Sequence, residues 1–202
     1  MKLRTILPVK SLREGKGRLS EILGEAERNA LNVSLLDHML AVTAAFPGAA
    51  QTIVVSPDRE VLDRAEAAGA QALLDDAGGL NGALVLAARH AADQGADGIL
   101  IVPVDLPRAQ PGDLLALASS RNGVAIVPDR RGVGTNALFV APPTALAFRF
   151  GDNSFPAHLA AAREAGLSTE IDTLPNLAFD IDTPDDYREW RKLDATTLIN
   201  SA

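Results

Sequence analysis

The sequence predicts an open, doubly wound α/β domain with a mostly parallel sheet, and three observations carry that prediction. Short apolar runs bounded by turn residues alternate with longer segments of helical period over residues 1–128. The run GILIVPV at 98–104 is apolar at nearly every position, as in a strand covered by helices on both faces. Strand–helix–strand repetition at this spacing calls for parallel neighbours joined by right-handed crossovers.

Taken in order, LRTILPV (3–9) reads as the first strand and residues 25–46 as a long helix. Leu31, Leu35, Leu36, Met39, Leu40 and Val42 lie along one side of that helix. QTIVVS (51–56) is a second strand, Arg59 to about Ala68 a helix, and AQALL a short strand ending at Leu74. A helix over about 80–92, the strand at 98–104, a helix over about 111–119 and the strand VAIVP (124–128) complete the regular part. Beyond it the rhythm loosens. Residues 129–155 are rich in Gly, Pro, Asn and Asp around one strand, ALFVA, followed by a helix over about 155–165 and a short strand near 169–172. The last helix opens at TPDD, with Thr183 as N-cap, Pro184 at its first position and two acids at the positive end of the dipole. No linker or repeat interrupts the chain, so residues 1–192 form one domain, and 193–202 are expected to fray.

Composition narrows the chemistry. The chain has 202 residues, 26 acidic against 19 basic, for a net charge of −7. Its hydrophobic content of 47% and charged content of 22% suit a globular core and exclude wholesale disorder. No stretch reads as the roughly 20 uncharged apolar residues of a membrane span, and the N-terminus does not read as a signal peptide, so a cytoplasmic protein is expected. There is no cysteine, which excludes disulfide scaffolds, thiol nucleophiles and iron–sulfur clusters. The acidic balance argues against nonspecific nucleic-acid binding. His38, His90 and His158 lack metal-ligand spacing, so any metal should be a hard cation on carboxylates. All three histidines read best as structural or surface groups, and Tyr187 and Trp190 as packing groups.

In such sheets ligands bind beyond the carboxyl ends of the strands. Four segments fall there: 8–19, 103–107, 129–136 and 180–183. The first, PVKSLREGKGRLS, sets Lys10, Arg13, Lys16 and Arg18 around Gly15 and Gly17. It is either a triphosphate-gripping loop or a solvated basic turn. It matches neither the Walker A loop nor the dinucleotide fingerprint. In PVDLP, Asp105 is either a turn-forming cap or a metal ligand. In FDIDTP, Asp180 and Asp182 share one side of an extended segment and are not needed for capping. Asp105, Asp180 and Asp182 together would make a three-carboxylate Mg²⁺ site. Thr135 in RRGVGTN, with Gly151 and Ser154 in FGDNSF, could hold a small phosphorylated acid at a helix start; ordinary turns with a Ser N-cap are the alternative.

The strings LPVKSLREGKGRLS, LN (80–81), PVDLP, DRRGVGTNALF, FGDNSF with His158 following, and FDIDTPDD occur in this order. Together they resemble the 2-phospho-L-lactate guanylyltransferase family of coenzyme F-420 biosynthesis, nearly to residue 190. GTNAL, FGxxSFxxH and DxDTPxD carry most of the likeness. A lysine-rich loop stands where related nucleotidyltransferases place a glycine-rich LAGGxxxR-type loop. The resemblance implies a nucleotide-diphospho-sugar transferase-like, Rossmann-like fold and transfer of GMP from GTP to a three-carbon phospho-acid, with release of pyrophosphate. Under it, Lys10, Lys16 and Arg18 hold the triphosphate and Asn81 the nucleoside. Thr135, Gly151 and Ser154 contact the acid, and Mg²⁺ sits on Asp105, Asp180 and Asp182. The partners implied are GTP and phosphoenolpyruvate, 3-phospho-D-glycerate or 2-phospho-L-lactate, with no nucleic acid or membrane and with room for a homodimer. The Ala- and Arg-rich, Lys-poor composition leans towards the first two acids. The competing readings are another small-molecule nucleotidyltransferase, of molybdenum-cofactor or sugar type, and a nonenzymatic nucleotide-binding domain.

Overall fold

The computed structural model describes residues 1–13, 16–76, 78–119 and 122–199, the stretch 193–199 by its main chain alone. Strands β1 (Leu3–Pro8), β2 (Thr52–Ser56), β3 (Gln71–Leu74) and β4 (Gly98–Ile101) pair in parallel, β1 lying between β2 and β4. Strand β5 (Gly123–Pro128) pairs in parallel with β7 (Thr169–Ile171), and β6 (Thr135–Ala141) inserts antiparallel between β4 and β5. The sheet order is β3-β2-β1-β4-β6-β5-β7. Because β6 alone runs backwards, its first residues lie at the same edge as the carboxyl ends of the other strands. That reversal delivers Thr135 and Asn136 to the ligand-binding edge.

Alternation along the strands divides the core into two layers. Leu7, Val54, Leu100 and Phe139 face helices α1 (Glu25–Thr43), α2 (Arg59–Ala67) and α4 (Pro111–Leu117). Ile6, Ile53, Ile99 and Leu138 face α3 (Leu80–Asp93) and α5 (Ser154–Glu164). A smaller cluster joins Leu19, Leu23, Leu31 and Leu35 to Phe179 and Ile181, with Tyr187 and Trp190 of α6 (Pro184–Ile199) packed against it. Both aromatic residues are packing groups, as their sequence setting suggests.

Several boundaries depart from the expected ones for local reasons. β4 ends at Ile101, short of 104, because Pro103 has no N–H for the ladder. α1 stops at Thr43, and a wider turn over Ala44–Gly48 follows, in which Phe46 is extended (φ −160°, ψ 129°) ahead of Pro47. Ser154 is the first residue of α5 and not its N-cap. The cap position belongs to Asn153 in left-handed conformation (φ 55°). Thr183 does cap α6: its Oγ1 accepts the Asp186 N–H at 3.3 Å, while Asp186 Oδ2 accepts the Thr183 N–H at 2.8 Å. Helical main chain continues to Ile199 through the stretch expected to fray; residues 200–202 lie outside the described residues.

The helical stretch Glu25–Gln51 is, by length and composition, apolar enough to cross a bilayer, which the sequence analysis did not anticipate. Here its apolar side is part of the core: Leu35, Leu36 and Met39 are at most 3% exposed. A long apolar helix inside a folded domain passes the same test.

Candidate active site

Three segments meet at one ammonium group. The chain leaves β1, passes through a left-handed residue at Lys16 (φ 63°, ψ 36°) and enters a 3₁₀ turn over Gly17–Glu21. Leu19 of that turn is fully buried against Phe179 and Ile181. With Phe179 and Ile181 directed inward, Asp180 and Asp182 alternate to the other side, and the Ile181 N–H donates to the Asp105 carbonyl at 3.1 Å. Lys16 Nζ donates to Asp105 Oδ2 at 3.0 Å and to the Ile181 carbonyl, and lies 3.5 Å from Asp182 Oδ1.

The electrostatics are those of one cation facing three anions. Burial by itself disfavours the Lys16 ammonium, but Asp105 and Asp182, with Asp180 behind them, more than offset it and hold its pKa above the ordinary value. Burial pushes the Asp180 carboxyl up, Asp105 and Asp182 add like-charge repulsion, and a 3.1 Å hydrogen bond from Asn136 Nδ2 works in the opposite direction. Among the described residues no three carboxylates or imidazoles converge tightly enough to hold a metal by themselves. The donor chemistry nevertheless suits a hard cation: oxygen ligands only, in excess of the single positive charge among them.

Two cavities lie at this edge of the sheet, and of the two it is the second that Asp180 and Asp182 line. One, of about 780 Å³, is lined by Lys10, Ser11, Arg13, Asp58, Asp75, Gly79 and Leu80. Its wall is fixed by Asp58, which caps α2 and accepts the Ser11 hydroxyl at 2.8 Å and the Leu12 N–H at 3.2 Å. Burial would raise the Asp58 pKa, but these bonds and Arg13 outweigh it and keep the carboxyl below its usual range. The other cavity, of about 600 Å³, is lined by Arg18, Arg130, Arg131, Gly151, Asp180 and Asp182, among others. Arg130 stacks on Phe179, 4.3 Å from the ring centroid, and pairs with Asp186 at 2.6 Å and Glu189 at 2.8 Å. The basic loop is therefore divided: Lys10 borders one cavity, Arg18 the other, and Lys16 the acidic cluster. Gly15, expected to bring its amide close to phosphate, lies outside the described residues.

Two expected contact sites have other partners. Both ends of the Asn81 amide are engaged by the protein. Its Nδ2 donates to the Phe150 carbonyl at 3.0 Å and its Oδ1 accepts the Phe150 N–H at 2.9 Å, which tethers the loop ahead of Gly151. Thr135 and Ser154 are 7% and 3% exposed and lie behind the second cavity, Ser154 Oγ accepting the Thr135 N–H at 2.8 Å. Gly151 lines that cavity at φ 127°, a conformation that favours glycine. The arrangement sets cationic side chains at both cavities, Lys10 and Arg13 at the first and Arg18, Arg130 and Arg131 at the second.

A family model described as guanylyl transferase CofC like matches residues 3–191. The chain belongs to this guanylyl transferase family. It is 44% identical over 186 residues to a phosphoenolpyruvate guanylyltransferase of Sphaerobacter thermophilus, covering 91% of this chain and 90% of that one. It is 35% identical over 193 residues to a 2-phospho-L-lactate guanylyltransferase of Methanothermobacter thermautotrophicus, covering 94% and 84%. Among solved structures, a nucleotidyl transferase from Methanothermobacter thermautotrophicus superposes with a TM-score of 0.70 at 19% identity, covering 97% of this chain and 99% of that one. That likeness shows the fold, and the sequence relatives show the enzyme class. A purely nonenzymatic domain is thereby set aside.

Three further residues organise the site of this guanylyl transferase without having been singled out in the sequence: Asp58, Arg130 and Asn136. His158, one turn after Ser154, read best as a structural or surface group; it is wholly buried and bonded to Thr135. The spacing of GTNAL and FGxxSFxxH was the available signal for Asn136 and His158. His38, bonded to the Ala109 carbonyl, and His90, bonded to Gln71, are structural, as read.

Proposed function

We propose that this enzyme joins the GMP of GTP to the phosphate of a three-carbon phospho-acid, phosphoenolpyruvate first among them, in coenzyme F-420 biosynthesis. A phosphate oxygen of the acid attacks the α-phosphorus of GTP, the bond to the β-phosphate breaks, and pyrophosphate leaves. What supports the reading most is one ammonium among three carboxylates at the carboxyl edge of the sheet, beside a cavity lined by Arg18, Arg130, Arg131 and Gly151. The acceptor choice rests on the names of the relatives at 44% and 39% identity.

In this reading the nucleotide enters the cavity at Lys10, Ser11 and Gly79, and the acid enters the one at Arg18, Arg130 and Gly151. No protein nucleophile takes part, so catalysis is alignment plus neutralisation of the two approaching phosphates. Lys16 lies where the phosphates would meet and compensates negative charge as it builds. Arg18 and Arg131 face the acid, and Arg130, held by Phe179 and two carboxylates, gives that cavity a fixed cationic wall. The α5 N-terminus favours an anion from the same side. Asp105, Asp180 and Asp182 would hold Mg²⁺, which when bound supplies Lewis-acid polarisation and charge neutralisation, with phosphate oxygens completing its shell.

The test is pyrophosphate release with Mg²⁺ and GTP, offering phosphoenolpyruvate, 3-phospho-D-glycerate and 2-phospho-L-lactate in parallel, with ATP and CTP as controls. Release with GTP and one acid is expected. Release with another nucleotide, or silence with all three acids, would overturn the assignment.

A further inference from the structure

A buried chain of hydrogen bonds behind the second cavity has a direction. His158 on α5 is fully buried, with its Nδ1 2.9 Å from Thr135 Oγ1. The Arg149 main-chain N–H donates to its Nε2 at 2.9 Å. An amide nitrogen can only donate, so Nε2 must present a lone pair and the proton of the neutral ring must sit on Nδ1. Nδ1–H then donates to Thr135 Oγ1, and the Thr135 hydroxyl keeps its own hydrogen for another acceptor. The same logic applies one bond further on. Ser154 Oγ accepts the Thr135 N–H, which leaves the Ser154 hydroxyl hydrogen to donate as well. Among the described residues no acceptor meets either hydroxyl hydrogen. Thr135 directly follows Gly134 and Ser154 directly follows Asn153, and both of those neighbours line the second cavity. The Phe150 ring meets the imidazole edge-on, with centroids 4.7 Å apart and planes at 70°, and fixes its plane.

We propose that His158 is a positioning residue for the acceptor: its Nδ1–H on Thr135 compels the Thr135 hydroxyl to donate, so that Thr135 and Ser154 present two aligned donors to the anionic acid. This inference rests on the reading of the second cavity as the acceptor site. The polarity is durable. A second proton on the ring would have to sit on Nε2, facing the Arg149 N–H and breaking that bond. Burial, and then the charge of Arg149, oppose the same proton.

Two measurements test it. Nitrogen-15 NMR of histidine-labelled wild-type enzyme should show Nδ1 protonated and Nε2 bare from about pH 8 to about pH 5.5. A proton on Nε2, or a ring that gains charge in that interval, overturns the proposal, and this arm needs no substitution. In steady-state kinetics, His158→Phe should raise the KM for the phospho-acid about tenfold and the KM for GTP less than about twofold. His158→Asn, which keeps an amide donor near the Nδ1 position, should recover most of the loss. In a Thr135→Val background, His158→Phe should add nothing further to the acid KM. Equal effects on both substrates, or additive effects of the two substitutions, overturn the proposal while leaving the acceptor reading intact. Silence of the wild-type enzyme with all three acids overturns both together.

Discussion

Lys16 Nζ lies 3.0 Å from Asp105 Oδ2, and the same ammonium donates to the Ile181 carbonyl. One side chain thus ties the loop after β1 to the loop after β4 and to the acidic segment before α6. Lys16 is only 8% exposed through its side chain, against 28% for Asp105 and 50% for Asp182. The cation is shielded while the carboxylates remain open to ligands, an order that suits a group that balances charge from beneath the reacting phosphates.

Lys16→Met should therefore cut kcat/KM about 100-fold or more, with the far-ultraviolet circular dichroism unchanged. Asp105→Asn should likewise abolish pyrophosphate release in a folded protein. Rates within threefold of wild type, about 0.7 kcal/mol, for either variant would remove that residue from the chemistry.

Ser154→Ala should affect both binding and stability. It removes one hydroxyl from the acceptor side and leaves the buried Thr135 N–H without an acceptor, a loss of about 1–3 kcal/mol in denaturant unfolding. The KM for the phospho-acid should rise well above any change for GTP. Equal shifts in the two KM values would place Ser154 outside the acceptor site.

Asn81→Ala separates the sequence expectation from the structure. The residue lies on α3 between Leu80 and Ala83 of the first cavity's lining, but its amide is bonded at both ends to Phe150, next to Gly151. The variant should weaken the acid more than GTP, by about tenfold in KM. A selective loss of GTP affinity would restore the nucleoside role.

Acid should destabilise the fold through His158. Burial, with Arg149 adding to it, lowers the ring's pKa to about 4 from 6.5. The unfolded chain therefore binds a proton between those values that the folded chain refuses, and stability rises with pH across that window. The contribution is complete above about pH 6.5 and lost as pH falls towards 4, on the order of 3 kcal/mol. Urea unfolding at several pH values should show His158→Phe less acid-sensitive than wild type. An identical pH slope in the two proteins would contradict the burial argument.

The sequence alone determined the layer architecture, because periodicity and apolar runs are local properties: the apolar run from Gly98 marks a buried strand, and TPDD marks the start of a helix. It also nominated Lys16, Asp105, Asp180 and Asp182 from their position beyond strand ends. What it did not contain was long-range pairing. The reversal of β6, which carries Thr135 and Asn136 to the ligand edge, follows from its insertion between β4 and β5, and no short window records that. The bond from Lys16 to Asp105, the Asn81 tether to Phe150 and the bond from His158 to Thr135 join residues 89, 69 and 23 positions apart, and sequence spacing gives no measure of such distances. Local chemistry selected which side chains were available; tertiary packing decided which of them line a cavity and which hold those that do.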